Sequence, residues 1–303
     1  MTITAPTSRT PQGKTSPTAP SPAPRPRRRT TTGAARRTAT GAAALLWAAV
    51  VIVPVYWLVV TSLRARADFT TGDPLALPTH PTLDNYRTVL AGDFTTYLLN
   101  SVLVTVTTVA LTVTAALTAA FTIVRHRTRL SQLTFRVYLL GLAIPLQAVI
   151  IPVYLLIIRL HLYDSLAAIV LPSAAFALPI TVMILVSFLR DVPRSLFEAM
   201  IVDGAGDWRL LLSLAAPLAR PALMTVAVYD GLQVWNGFLF PLILTQSADK
   251  AVLPLALTLY RGEYGINVPA TMAAVVLSTL PMLALFILAR RQLVAGLTAG
   301  FSK

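Results

Sequence analysis

The stretch LRDVPRSLFEAMIVDGAGDWRLLLSLAAPLARP, Leu189–Pro221, holds charges, a glycine turn and three prolines between long apolar runs. Asp191 and Pro193 suit the start of a short helix, with the proline in its first turn. The run Ser195–Asp203 follows, and Gly204 is placed to end it in a left-handed conformation. Asp207 is placed to cap a second short helix, Trp208–Ala216, which Pro217 interrupts. Leu210, Leu211 and Leu214 form an apolar stripe along it. Two short helices joined by a glycine turn also describe a DNA-reading helix-turn-helix. That reading fails on charge: Arg209 is the only base between Phe197 and Ala219, against Glu198, Asp203 and Asp207. Phosphate contacts need a basic face. A plain connector with polar caps is the simplest alternative.

The surroundings of this stretch are apolar. The 303-residue chain is 55% hydrophobic and 12% charged, with mean hydropathy +0.70. A soluble domain carries about a quarter charged residues, so the balance is that of an integral membrane protein. No cysteine is present, which excludes disulfides and thiolate metal sites. His80, His126 and His161 are scattered, and none sits in a HExxH pattern. GxSxG is also absent, so a membrane enzyme has no motif to support it.

Met1–Thr40 is rich in Pro, Thr, Ser and Arg, with eight basic residues and no acid. Without an apolar period it is expected to be a disordered basic tail on the cytoplasmic side, in reach of anionic lipid. Gln12–Ser16 resembles a phosphate loop, but Ser8 stands where its first glycine is needed. Arg64–Asp68 resembles a signal-peptide cleavage site. The apolar run before it exceeds a signal core of about 7–15 residues, so a retained first span is expected.

A helix crossing the hydrocarbon needs about 20 apolar residues. Six runs qualify: Gly41–Leu63, Leu98–Val124, Leu133–Ile158, Leu166–Leu189, Pro221–Leu244 and Pro269–Ala289. Lipid offers backbone groups no partner, so all six are expected to be helices. Residues 64–97 then form an extracytoplasmic loop, and 290–303 a C-terminal tail. With the N-terminus cytoplasmic, nineteen of the 25 Lys and Arg fall on the inner side. That asymmetry predicts both termini inside. It also makes the basic balance a topology signal, so no nucleic-acid partner is expected. Leu189–Pro221 lands in the cytoplasm.

These residues carry a resemblance. EAMIVDGAGDWRLLLSLAAPLARP is similar to the EAA loop of ABC-importer permeases, with Glu198, Ala199, Asp203, Gly204, Ala205, Pro217, Leu218 and Pro221 in register. Met200 departs from the third position, and Leu211 and Leu214 replace Phe and Ile. DNYRTVLAGDFTTYLLNSVLVT (Asp84–Thr105), IPLQAVIIPVYLL (Ile144–Leu156), VWNGFLFPLIL (Val234–Leu244) and the C-terminal stretch from Leu280 resemble the carbohydrate-uptake, maltose-type branch. The departures are Gly237, where many relatives carry an acid, Arg290, where glutamine is common, and the shortened GFSK end.

The resemblance implies an all-α, polytopic membrane protein with six transmembrane helices. Its fold would be that of a type I ABC-importer permease, a five-helix core (98–289) behind an N-terminal span, with a cytoplasmic coupling loop at 190–220. It implies residence in a bacterial cell membrane. The implied partners are a second permease chain, two ATP-binding subunits and an extracytoplasmic sugar-binding protein. ATP and magnesium would be bound by the partner ATPase, since no Walker motif is present and no cofactor is expected here. Glu198, Ala199, Asp203, Gly204, Ala205 and Pro217 would couple to the ATPase. Gln147, Tyr154, Trp235 and Asn236 are candidates for the substrate pathway, because amides and aromatic faces suit sugar hydroxyls, and Asp230 is a fifth, because a carboxylate deep in a span is expected to face the bundle interior, a partner helix or water. The alternative is an ion-coupled secondary transporter of a small polar solute. That class needs buried ionisable residues or matching broken helices, and only Asp230 lies deep in a span.

Overall fold

The computed structural model describes residues 32–71, 73, 75–126, 128–259 and 267–299. The chain divides into two units, Met1–Ile52 and Val53–Lys303. Most of the expected basic tail, residues 1–31, and the last four residues lie outside the described residues. In the first unit the chain is helical from Thr32, nine residues before the expected first span, where Ala34, Ala35, Arg36 and Arg37 are strong helix formers. This helix, α1, runs Thr32–Ser62, and its apolar part Thr40–Ser62 has a mean hydropathy of 2.4.

The second unit continues with α2 (Arg66–Thr71), α3 (Asp84–Ala91), α4 (Phe94–Arg125), α5 (Arg129–Gly141), α6 (Leu146–Arg159) and α7 (Leu166–Arg190). Two short helices follow, α8 (Arg194–Val202) and α9 (Asp207–Leu218), the latter with a π turn at Leu211–Ala215. Then come α10 (Arg220–Trp235), α11 (Leu239–Leu244), α12 (Leu253–Leu259) and α13 (Val268–Ala299). The residues expected to be a C-terminal tail are helical as far as Ala299. Every described element is helical or a turn. Among the described residues, four helices are long and apolar enough to cross a membrane, or up to six if each of two bent pairs counts as one span.

One bent pair falls within an expected span, at a proline, and the other joins the expected loop to the fifth span. The third expected span breaks between α5 and α6, which meet at 105°. Pro145 sits at the break as N-cap of α6, with φ −69° and ψ 133°. It has no N–H to continue the ladder, and it pushes the residue before it out of the helical region. The chain also bends by 76° at Ala219, between α9 and α10. The expected interruption at Pro217 does not occur, because the helix runs through it to Leu218. The fifth expected span is unbroken only to Trp235. A helix continuing to Leu244 would need an N–H at Pro241 for the carbonyl of Gly237, and proline has none.

The core of this unit is α4 lying along α7, with α10 against both. Small and branched side chains allow close approach: Ala116, Ala120, Val182, Leu185, Val186, Ala222 and Val226 form one buried cluster. Gly141 belongs to the same logic. A Cβ there would lie 2.9 Å from the Pro179 ring on α7, so only glycine lets α5 approach.

Polar residues pin the segments at the ends of α4 and α7 remote from α8. The buried Asn85 amide donates to the carbonyls of Ser62 (2.9 Å) and Arg64 (2.8 Å), fixing the chain as it leaves α1. Asn100 donates to Asp249 O (2.8 Å) and Ala251 O (2.9 Å), while Ser101 Oγ accepts from Leu253 N (2.8 Å). This is the physical content of the Asn-Tyr and Asn-Ser pairs in the Asp84–Thr105 segment. Asp164, at φ 58°, accepts hydrogen bonds from Ser247 Oγ and from the backbone N–H groups of Gln246 and Ser247. The Ser247 hydroxyl first, then the two N–H groups, hold its carboxyl below the usual carboxylate range.

A depressed pKa means that the clamp contributes fully above the unfolded value of about 4 and is lost only as pH falls through the lower folded value. A spin label at Ala248 is therefore expected to keep constant mobility from alkaline pH down to about pH 4. The same label in Asp164→Ala is expected to be mobile throughout. Loosening of the wild type near neutral pH would contradict this reading.

Candidate functional site

The segment Leu189–Pro221 is anchored at both ends. Asp191 is the C-cap of α7 rather than the start of the next helix, and Pro193 is the N-cap of α8. The inward side of α8 carries Phe197 and Met200, one helical turn apart, both packed on the core cluster. Phe197 meets Phe121 of α4 with ring centroids 6.5 Å apart. The outward side carries Glu198, Ala199, Ile201, Val202 and Asp203, all exposed, with Val202 at 87%.

The turn after α8 explains the Asp-Gly-Ala sequence residue by residue. Asp203 is the C-cap. Gly204 follows at φ 79°, the left-handed region that favours glycine. Its N–H bonds to Ile201 O (2.9 Å), and Ala205 N–H bonds to Met200 O (2.9 Å). These are the two bonds of a Schellman motif, which satisfies carbonyls that a helix end leaves free. Ala205 is then buried in the same cluster as Phe121 and Leu210, and Met200 packs beside it. A small apolar residue is required there because the turn seats directly on the core.

Beyond the turn, Asp207 is not the cap. Gly206 occupies that position, and Asp207 is the first residue of α9. Its carboxylate instead lies 3.8 Å from Arg125 Nε and 3.6 Å from His126 Nε2, at the end of α4. The Arg125 pair is half-exposed and worth up to about 1 kcal/mol, and the His126 contact is an ion pair only when the imidazole is protonated. The Asp207 carboxylate suits the partially positive start of α9, and the Arg125 guanidinium suits the partially negative close of α4. Leu210 and Leu211 of the apolar stripe are buried and Leu214 is half-buried, whereas Trp208 (71%) and Leu212 (64%) are exposed. Pro217 is exposed as well. Of the six coupling candidates, then, Glu198, Ala199, Asp203, Gly204 and Pro217 lie at the surface and Ala205 fastens the loop. Among the described residues, neither Glu198 nor Asp203 is in an ion pair.

The five pathway candidates do not converge on one cavity. Asp230 is 1% exposed, and its Oδ2 accepts from Thr181 Oγ1 at 2.8 Å, while Oδ1 has no partner among the described residues. It borders a cavity of about 310 Å³ beside the breaks that precede α6 and α11, with Ser173, Phe176, Tyr229 and Gln233 also at the wall. Trp235 is buried in a different cluster, with Tyr97 and Ala251. Asn236 is exposed and donates to Leu232 O in its own helix (2.8 Å). Gln147 is exposed at the start of α6, and the half-buried Tyr154 packs edge-on against Tyr163 at 5.8 Å. Thr181 and Gln233 were not singled out from the sequence. Gln233 was within reach, lying one turn along the helix from Asp230, but Thr181 lies 49 positions away and gave no signal. Among the described residues no group of three or more His, Asp or Glu is placed to hold a metal.

A sequence model of the family described as "Binding-protein-dependent transport system inner membrane component" matches residues 89–297. Putative ABC transporter permease protein ORF2 of Caldicellulosiruptor sp. is 36% identical over 258 residues, 85% of this chain and 94% of that protein. The diacetylchitobiose uptake system permease protein NgcG of Streptomyces coelicolor is 32% identical, over 84% of this chain and 85% of its own. The trehalose/maltose transport system permease protein MalG of Thermococcus litoralis is 30% identical, over 86% and 94%. Among solved structures, a chain of a bacterial ABC transporter involved in the import of the acidic polysaccharide alginate superposes with a TM-score of 0.76. It covers 86% of this chain and 98% of its own at 19% identity, a likeness of fold.

Proposed function

Because the chain belongs to the family of binding-protein-dependent transport system inner membrane components, we propose that it is a permease subunit of a carbohydrate importer, coupled to ATPase subunits through Leu189–Pro221. The observation that carries the coupling role is the seating of α8: an exposed outer face on a turn bolted to α4 and α7 through Gly204 and Ala205. A push on Glu198, Ala199 or Val202 is thereby delivered to the helices that form the core of the bundle. Members of the family are transport components, not enzymes, and an ion-coupled secondary transporter finds no support in it.

The proposed assembly holds this chain, a second permease chain, two ATP-binding subunits and an extracytoplasmic solute-binding protein. ATP and magnesium belong to the ATPase subunits. Both termini of this chain, and the loop, face the cytoplasm, as the basic-residue asymmetry supports. ATP-driven closure of the ATPase subunits draws the docked loops together and biases the spans between two pathway shapes. The breaks beside α6 and α11 are where such a change needs the least rearrangement, since their backbone ladder is already interrupted. Carbohydrate as the cargo is supported by relatives named for diacetylchitobiose and for trehalose/maltose. Asp230 and the neighbouring cavity are the proposed pathway contacts within this chain.

The test is uptake of labelled oligosaccharides into vesicles holding the reconstituted complex. Transport that requires both ATP and the binding protein is expected. Transport driven by a proton or sodium gradient without ATP would overturn the proposal.

A further inference from the structure

Four arginines converge at the end of the bundle that carries α8. Arg125 closes α4, Arg190 closes α7, Arg194 opens α8 and Arg136 projects from α5. They line two adjoining cavities of about 270 Å³ and 460 Å³ that share Val124 and Arg190. Among the described residues, Glu198 is the one acid at their walls. Arg190 is fixed in place, its guanidinium carbon 5.0 Å from the centroid of the Phe135 ring. Among the described residues, Arg136, Arg190 and Arg194 have no carboxylate partner. Topogenic arginines need only lie on the correct side of the membrane. They do not need to gather around one cleft, where Asp207 beside Arg125 and Glu198 at the wall offset only part of their mutual repulsion.

We propose that this cleft between α4, α5, α7 and α8 binds the phosphate headgroup of an anionic membrane lipid, and that the bound lipid holds the coupling helix in position. Arginine forks suit phosphate oxygens, and basic pockets between spans on the cytoplasmic side are suited to anionic headgroups. A lipid fits better than a soluble phosphate because of the adjoining face of α5. There Leu130, Leu133, Val137 and Leu140 form a continuous exposed apolar stripe, each at least 57% exposed. Acyl chains of a lipid seated in the cleft would lie along that stripe. Phe197 and Glu198 belong both to the cleft and to α8, so neutralising the arginines acts directly on the helix that meets the ATPase. The inference rests on the cytoplasmic placement of the loop proposed above.

The purified complex is reconstituted in phosphatidylcholine with increasing phosphatidylglycerol. Retained lipid is read by native mass spectrometry and binding-protein-stimulated ATP hydrolysis is read beside it. Phosphatidylglycerol is expected to be retained selectively and to raise the stimulated rate. Arg136→Gln and Arg190→Gln are each expected to weaken that lipid dependence about fivefold, the equivalent of about 1 kcal/mol per basic residue. Equal retention of both lipids by wild type and variants would overturn the site. Restoration of activity in pure phosphatidylcholine by inorganic phosphate would overturn the lipid as its occupant. So would cross-linking of Arg136→Cys to an ATPase subunit lodged in the cleft. Absence of ATP-driven transport in every lipid, with phosphatidylglycerol still retained, would count against the functional reading and leave the site standing.

Discussion

Replacing Gly204 with valine is expected to abolish binding-protein-stimulated ATP hydrolysis and uptake while the spans still insert. Gly204 sits at φ 79°, and a Cβ built there meets no atom within 4 Å. The penalty is therefore one of backbone conformation rather than collision. The left-handed region costs an ordinary L-residue about 1–2 kcal/mol, more when the side chain is β-branched. Losing this turn releases the bonds to Met200 and Ile201 and unseats Ala205 from the core. A cost of about 2 kcal/mol shifts the loop population by roughly 30-fold, far too little to unfold the bundle. Valine also projects from the face proposed to enter the ATPase. Asparagine tolerates the left-handed region, so Gly204→Asn is expected to retain most activity and Gly204→Ala to fall between. Stimulated hydrolysis at the wild-type rate in Gly204→Val, with ATPase subunits bound normally, would make the loop a passive connector.

Thr181→Val is expected to destabilise the complex by about 1.5–3 kcal/mol, the range for a hydrogen bond to a charged group. It removes the one hydrogen-bond partner that the structure gives Asp230, whose other oxygen is already unpaired. Asp230→Asn keeps an acceptor for the Thr181 hydroxyl, so assembly is expected to survive while transport changes, in rate or in apparent affinity. Thermal unfolding of the purified complexes separates the two variants, with Thr181→Val below Asp230→Asn. A Thr181→Val complex as stable as wild type would show that this contact contributes nothing. Wild-type uptake by Asp230→Asn across a range of oligosaccharide concentrations would remove Asp230 from the pathway.

What the sequence disclosed depended on the range of the interaction. The Asp-Gly-Ala turn was legible because a Schellman motif is local, and each of its residues has one job within six positions. The apolar runs announced helices for the same reason. Hydropathy carries no direction, however, and a proline marks a bend without its size, so the 105° turn before α6 was not legible as such. Proline marks where a helix can bend, not whether it breaks. Pro172 and Pro179 sit within the unbroken α7, while Pro145 opens α6 at a break in the chain. The difference lies in the neighbours: α7 is clasped by α4, α5 and α10, and Gly141 fits against Pro179 itself. Asp207 read as a cap from its position alone, yet its ion pairs are with residues more than eighty positions earlier. Trp235 and Asn236 were marked by residue type, which does not distinguish a pathway wall from a packed interface. Trp235 proves to be core, and the Asn236 amide bonds to its own helix.

The outer face of α8 is proposed to meet an ATPase subunit in the cytoplasm. The chain has no native cysteine, so Ala199→Cys provides a single reporter on that face. The direct measurement is its labelling by a membrane-impermeant maleimide, in intact cells and in inside-out vesicles with and without the ATPase subunits. The expected result is no labelling in intact cells, ready labelling in stripped inside-out vesicles, and protection when the ATPase subunits are restored. Labelling from outside intact cells, or labelling unaffected by the ATPase subunits, would contradict the account.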